Sequence, residues 1–314
     1  MENVAPAVPG VVFLGSRRVL APGRWRWLRA LLWGVGLFVA ITLAFAIAAG
    51  LVIAALLIAT GHNAAALAVP IHAPPPILFV GMTVGALGAI GAYVGLVRLV
   101  ENRRAVEFAA GPAARELVTG LALGAAMMAA TVLLLWAGGW IVLARQPLSA
   151  LWSALADSVQ SGIVEEILFR LVVFRLLWRA FGLWAALALS ALLFGAVHLM
   201  NPNATPFAAV AIALEAGVML ATFYILTGRI WVSIGVHAGW NFTQGWLFGA
   251  AVSGTSGFAG GPLVLHPAAG APAILSGGGF GPEASLAGLF VGTAVGAFCL
   301  HRAWRTGRLA AADA

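Results

Sequence analysis

Long apolar runs separated by short polar connections dominate this chain, and eight of them reach the ~20 residues a helix needs to cross a bilayer. They lie at approximately 28–58, 77–99, 117–144, 150–178, 183–200, 207–226, 230–250 and 284–304. The pattern predicts an all-α, polytopic membrane bundle of about eight transmembrane helices. The first run is longer than one crossing requires and is expected to tilt or emerge from the bilayer. The connection 251–283 is rich in Gly, Ser and Pro without periodicity, which predicts an irregular loop. There, His266 and Glu283 read as solvated residues, as do His62 and His72 in the Pro-rich connection 61–76. His301, among Arg residues at the last helix end, reads as interfacial. The pattern divides the chain into a basic N-terminal segment (1–26), a three-helix scaffold (27–148), a helical core (149–250), and a loop with a final transmembrane helix (251–314).

Composition supports this division and adds an orientation. The chain is 62% hydrophobic and 9% charged, which excludes an ordinary soluble domain, where about a quarter of residues are charged. All 17 basic residues are Arg, and they cluster in alternate connections. Arg17, Arg18, Arg24, Arg26 and Arg29 precede the first run; Arg98, Arg103, Arg104 and Arg115 surround the second connection. Arg175 and Arg179 end the fourth run, Arg229 falls between the sixth and seventh, and Arg302, Arg305 and Arg308 follow the eighth. Connections 61–76, 200–206 and 251–283 contain no Arg, and 145–149 contains only Arg145. By the positive-inside rule, both termini are expected in the cytoplasm. With the Arg residues spread over connections, the net charge of +7 does not describe a basic face, and no nucleic-acid partner is expected. Cys299 is the only cysteine, so no internal disulfide can form. The apolar run after the N-terminal Arg residues far exceeds the roughly 7–15-residue core of a signal peptide, so it reads as a retained helix.

The polar residues left inside the apolar runs carry the chemistry. They are Asp157, Glu165, Glu166 and Arg170 in the fourth run, His198 in the fifth, Glu215 in the sixth, and His237, Asn241 and Gln244 in the seventh. A carboxylate at bilayer depth costs at least a few kcal/mol unless paired, protonated or wetted, and such residues are usually functional. The first three runs hold almost nothing comparable, so the chemistry is expected in roughly 150–250. Glu166 and Arg170 are i,i+4 in the favourable acid-first order, which makes Arg170 the partner that neutralises Glu166. Glu165, turned by about 100° on an α-helix, is then free to face a cavity. Phe194 with His198 and His237 with Asn241 repeat the i,i+4 spacing, so each helix can present two side chains to a common centre. Asp157 reads as a wetted residue near a helix end, and Glu215 as support for the site.

Several chemistries fit this set. No G-x-S-x-G elbow is present, Ser161 has no His nearby in sequence, and Ser190 fits small-residue helix packing. Water activated by Glu165 is the stronger reading, because a low-dielectric cavity makes a carboxylate a better base. A zinc site formed by His198, His237 and Glu165 with an open position for water is the metal version, although no H-E-x-x-H occurs. Buried carboxylates and imidazoles also suit a proton- or cation-coupled transporter.

EEILFR, FGAVH and HAGWN, in that order on successive helices, resemble the E-E-x-x-x-R, F-x-x-x-H and H-x-x-x-N motifs of the CAAX protease and bacteriocin-processing intramembrane endopeptidases. This resemblance implies a bundle commonly of eight helices, with 149–250 as its catalytic core. It also implies a bacterial inner-membrane location and a membrane-associated peptide or protein as substrate. Glu165, His198, His237 and Asn241 would be catalytic, supported by Glu166, Arg170, Phe194 and Glu215. No cofactor is certain; zinc is the alternative. Some bacterial relatives are assigned to bacteriocin immunity or scaffolding, so a non-catalytic membrane protein of the same family is the other reading.

Overall fold

Apolar runs become helices here because a bilayer supplies no partner for a backbone N–H or C=O, and a helix satisfies both internally. The computed structural model describes residues 19, 21, 23–62 and 73–309; Arg17, Arg18 and His72 lie outside the described residues. Helix α1 (Arg26–Ala59) has 34 residues, about 50 Å at ~1.5 Å per residue, and so exceeds a hydrocarbon core of ~30 Å, as expected. Helix α2 (Pro75–Glu101) stops where Asn102 turns left-handed, and α3 (Ala113–Ala137) runs into a Gly138–Gly139 turn. Strand β1 (Ile141–Arg145) follows, then helix α4 over 151–181. Gly182, at φ 85°, breaks α4 from α5 (Leu183–Met200). Helix α6 (Pro206–Thr227) starts with Thr205 accepting from the Ala208 amide and Pro206 in its first turn, where a missing N–H does no harm. Helix α7 spans 231–247, followed by strand β2 (Leu263–Pro267), the single turn α8 (Ala273–Ser276) and α9 (Leu286–Arg305).

Six of these helices are long and apolar enough to cross a membrane: α1, α2, α3, α5, α6 and α9. The side chains of Leu43, Leu51, Leu87, Leu192, Phe290 and Phe298 are exposed on them, as a lipid-facing surface requires. The protein is therefore an integral membrane protein, with six such helices among the described residues where eight were expected. Helices α4 and α7 occupy the predicted positions without meeting the same standard. Helix α4 carries Asp157, Glu165, Glu166, Arg170, Arg175 and Arg179, while α7 has 12 α-helical residues and 5 π-helical ones. Charge separates α4 from the other six, whereas α7 carries no Asp, Glu, Lys or Arg and is simply short.

Helix α7 is clamped to α3 backbone against backbone. A Cβ on Gly124 would overlap the Val236 carbonyl oxygen, and one on Gly239 the Leu121 carbonyl oxygen. Glycine at such crossings lets two membrane helices approach closely. The expected three-helix scaffold is thus packed directly onto the helix that carries His237 and Asn241. Gly124→Val is expected to lower stability by about 3 kcal/mol or more, since overpacked backbone has no rotamer to yield. Thermal unfolding in detergent micelles checks this.

Three further expectations are corrected. Beside the first three runs, at positions where charges were expected in water, Glu101 at the end of α2, Glu107 in the connection and Glu116 on α3 are all buried. Arg175 on α4 grips Glu101 through both terminal nitrogens, at 2.9 and 2.7 Å. Arg103 bridges Glu101 at 2.7 Å and Glu107 at 2.7 Å, while Trp33 on α1 and the Tyr93 hydroxyl donate to Glu101 and Glu107. This network fastens α1, α2 and α4 at one end of the bundle. The third apolar run ends early, because 141–145 leave the helix to pair antiparallel with β2, Ile141 opposite Pro267 and Leu143 opposite Leu265. Connection 251–283 therefore contains a strand and a helical turn, and it is not an irregular loop throughout. The ladder joins segments more than a hundred residues apart, beyond the reach of local periodicity.

Candidate active site

Helix α4 departs from α-helical geometry where its motif lies, being π-helical over Gln160–Glu165 and again over Ile167–Phe174. Such widened turns are rare and recur at functional sites. Glu166 is fully buried and Glu165 only partly so. The two neighbours thus point to different surroundings, as the sequence predicts, although on a wider helix than assumed.

Glu165, His198, His237 and Asn241 all line one cavity of about 410 Å³, within the ~300–1,000 Å³ usual for ligand sites. Asp157, Gln160 and Ser161 from α4 complete one wall, so Asp157 faces this cavity. Asn201 and the segment from Val252 to Phe258 close it from the connections after α5 and α7. Asn201, Ser253 and Thr255 had no periodic signal in the sequence, since loop residues enter a site only through tertiary folding, and Gln160 on α4 was passed over although it lies in the fourth run.

Each imidazole is fixed through its Nδ1. Helix α5 tightens to a 3₁₀ turn at His198–Met200, and the His198 amide bonds to Gly195. That leaves the Phe194 carbonyl free to accept from His198 Nδ1 at 2.6 Å. A carbonyl only accepts, so Nδ1 carries the proton and Nε2 keeps its lone pair. His237 Nδ1 lies 2.9 Å from Glu166 Oε1, which leaves its Nε2 as the ring nitrogen available to the cavity. Asn241 donates one amide hydrogen to the Ser161 hydroxyl at 3.1 Å and retains a second. Ser161 thus supports Asn241, while buried Ser190 bonds to the Leu187 carbonyl and lines no described cavity wall with the motif residues.

The expected Glu166–Arg170 pair is present at 3.2 Å, within ion-pair distance but misaligned for a hydrogen bond. Arg170 donates instead to the Ala216 carbonyl on α6 at 2.8 Å. Its guanidinium lies 4.6 Å from the centre of the Phe194 ring, a cation–π contact. Phe194 also meets Phe169 edge-on at 4.8 Å and the His237 ring at 6.2 Å. It therefore holds the three motif helices in register. Glu166 has more to do than sequence suggested, because it orients His237 as well as pairing with Arg170.

Glu215 is buried beside a second, much smaller cavity of about 20 Å³, room for roughly one water. His198, His237, Asn241 and Ser253 line this cavity too, and so does Glu283. Glu283 was expected in solvent, yet it is 2% exposed. The chain folds back after the β-ribbon and inserts the turn Pro282–Ala284 beneath the loop. Burial pushes the Glu283 carboxyl up to about 7, against hydrogen bonds from Ser253, Trp240 and Gln244 that pull it down. His62, His266 and His301 are exposed, in keeping with their sequence reading.

A zinc site was the alternative for His198, His237 and Glu165. Among the described residues, no three His, Cys, Asp or Glu side chains are grouped to hold a metal ion. The donor set as placed does not fit zinc, although each His has the fixed Nδ1 typical of a metal ligand.

Residues 147–243 match the family model described as Type II CAAX prenyl endopeptidase Rce1-like. The match covers roughly a third of the chain and contains EEILFR, FGAVH and HAGWN, so the resemblance carried by those motifs holds over that segment. No curated protein and no solved structure matches the chain.

Proposed function

We propose that this protein is an intramembrane endopeptidase that hydrolyses a peptide bond in a membrane-associated protein or peptide, using water activated by Glu165. The observation that supports this most directly is the single cavity lined by Glu165, His198, His237 and Asn241. Similarity of 147–243 to the endopeptidase family supplies the reaction class, and the residues supply the roles.

Glu165 takes a proton from water as the water oxygen attacks the carbonyl carbon. His198, with Nδ1 tied to Phe194, accepts the second water hydrogen at Nε2 and so aims the lone pair. Negative charge then develops on the carbonyl oxygen. The free Asn241 hydrogen stabilises it, and His237, held through Nδ1 by Glu166, turns Nε2 toward the same cavity. The carbon–nitrogen bond breaks as the proton held by Glu165 passes to the leaving amine, with His198 bridging the transfer. No step requires a metal or a protein nucleophile.

Asn241→Ala is expected to lower kcat about 100-fold with little change in KM, because its hydrogen bond strengthens only as the oxyanion forms. With Arg-rich connections in the cytoplasm, Asn201 and the 252–258 segment lie on the opposite side, and the cavity opens there. The substrate class is tested by terminal proteomics on membranes from cells carrying wild type or Glu165→Gln. A membrane protein cleaved only with wild type supports the proposal. Identical termini in both, with the variant folded, would reject it.

A further inference from the structure

Behind the catalytic wall lie two buried carboxyls, Glu215 on α6 and Glu283 on the turn Pro282–Ala284, which share the water-sized cavity. The reaction cavity and this one have His198, His237, Asn241 and Ser253 in common, so those residues form a partition between them. The two carboxyls are not equivalent. Glu283 accepts from the backbone amide of Ser253. Glu215 has no such donor: its Oε2 is fully buried and without a hydrogen-bond partner. Around Glu215 stand Glu283 from the turn, His198 from α5, and His237 and Asn241 from α7; α9 presses Gly292 against its Cβ. No Arg lines the cavity.

We propose that Glu215 and Glu283 form a second polar site that binds one internal water and keeps a proton on Glu215 through neutral pH. The unpartnered Oε2 and the one-water volume argue for it together. A neutral carboxyl donates to the water, the water donates to Glu283, and no uncompensated charge remains on Glu215. Glu283 holds the Ser253 amide, and Ser253 belongs to the segment that closes the reaction cavity. The site thereby fixes the loop over the catalytic residues and keeps a second negative charge away from the oxyanion wall. Glu283 adds a pH dependence: its folded carboxyl retains its proton to about 7 against an ordinary 4.5. The contribution of Glu283 to stability is therefore fully present below pH 4.5, falls as pH rises toward 7, and is lost above it.

Infrared spectroscopy of the whole protein in detergent reads the proton directly, whether or not the protein cleaves peptides. At pH 8 the wild type should show the carbonyl stretch of a buried carboxylic acid, lost in Glu215→Gln and retained in Glu283→Gln. Glu215→Gln mimics the neutral acid, so its melting temperature should stay within about 2 °C of wild type. Glu283→Gln should remove the decline in stability between pH 5 and 7. The proposal is overturned if the acid band is absent from wild type at pH 8 or survives in Glu215→Gln. A sodium-dependent rise in melting temperature that Glu215→Gln abolishes would also overturn it, by placing a cation where the proton is assigned.

Discussion

Glu165→Gln is expected to reduce peptide cleavage by about 10³–10⁴-fold, the contribution of a positioned general base, while leaving the fold intact. The amide is nearly isosteric but cannot accept the water proton. Glu165 is the partly exposed member of the pair and lines the cavity, where the isosteric amide fits without repacking. Melting temperature within about 2 °C of wild type, with KM little changed, separates lost chemistry from lost folding. Cleavage within about tenfold of wild type would remove Glu165 from the base role.

Arg170→Met should act in the opposite way, through the fold. Glu166 is fully buried and Arg170 is 2% exposed. Removing the cation leaves a carboxylate with only the His237 ring beside it and deprives the Ala216 carbonyl of its donor. Breaking a buried pair in this way costs about 3–5 kcal/mol. Unfolding in detergent should show that loss, and adding Glu166→Gln should restore part of it, because the double variant no longer buries an unpaired charge. A double variant less stable than Arg170→Met alone would show that the Glu166–His237 bond outweighs the ion pair.

These two expected outcomes rest on the different surroundings of the two glutamates, and that difference in facing was legible in spacing alone. Helical geometry sets neighbouring residues apart and places Arg170 beneath Glu166. What spacing hid was the second oxygen of Glu166, which reaches His237 on another helix. The widened turns of α4 were equally hidden, since no residue pattern in SGIVEEILFR marks a π-helix. The buried network of Glu101, Arg103, Glu107 and Arg175 was missed for a related reason. Its members sit at helix ends and in a connection, where charges ordinarily meet water; only the packing of α1, α2 and α4 closes them off. Glu283 was misread in the same way, because a Gly-rich stretch gives no sign of which of its residues folds back into the bundle.

The medium, the helical class and the candidate chemistry could all be read from the order of residues. Hydrophobic length follows from bilayer thickness, and helical spacing from a rise of ~1.5 Å and ~3.6 residues per turn. Both are local rules that a linear string contains. Tertiary structure alone decided which oxygen meets which nitrogen, which loop closes the cavity, and that Glu215 and Glu283 stand together behind it. Those facts depend on where the helices cross. The crossings are set by glycines and ion pairs between segments distant in sequence, and no local rule reaches across them.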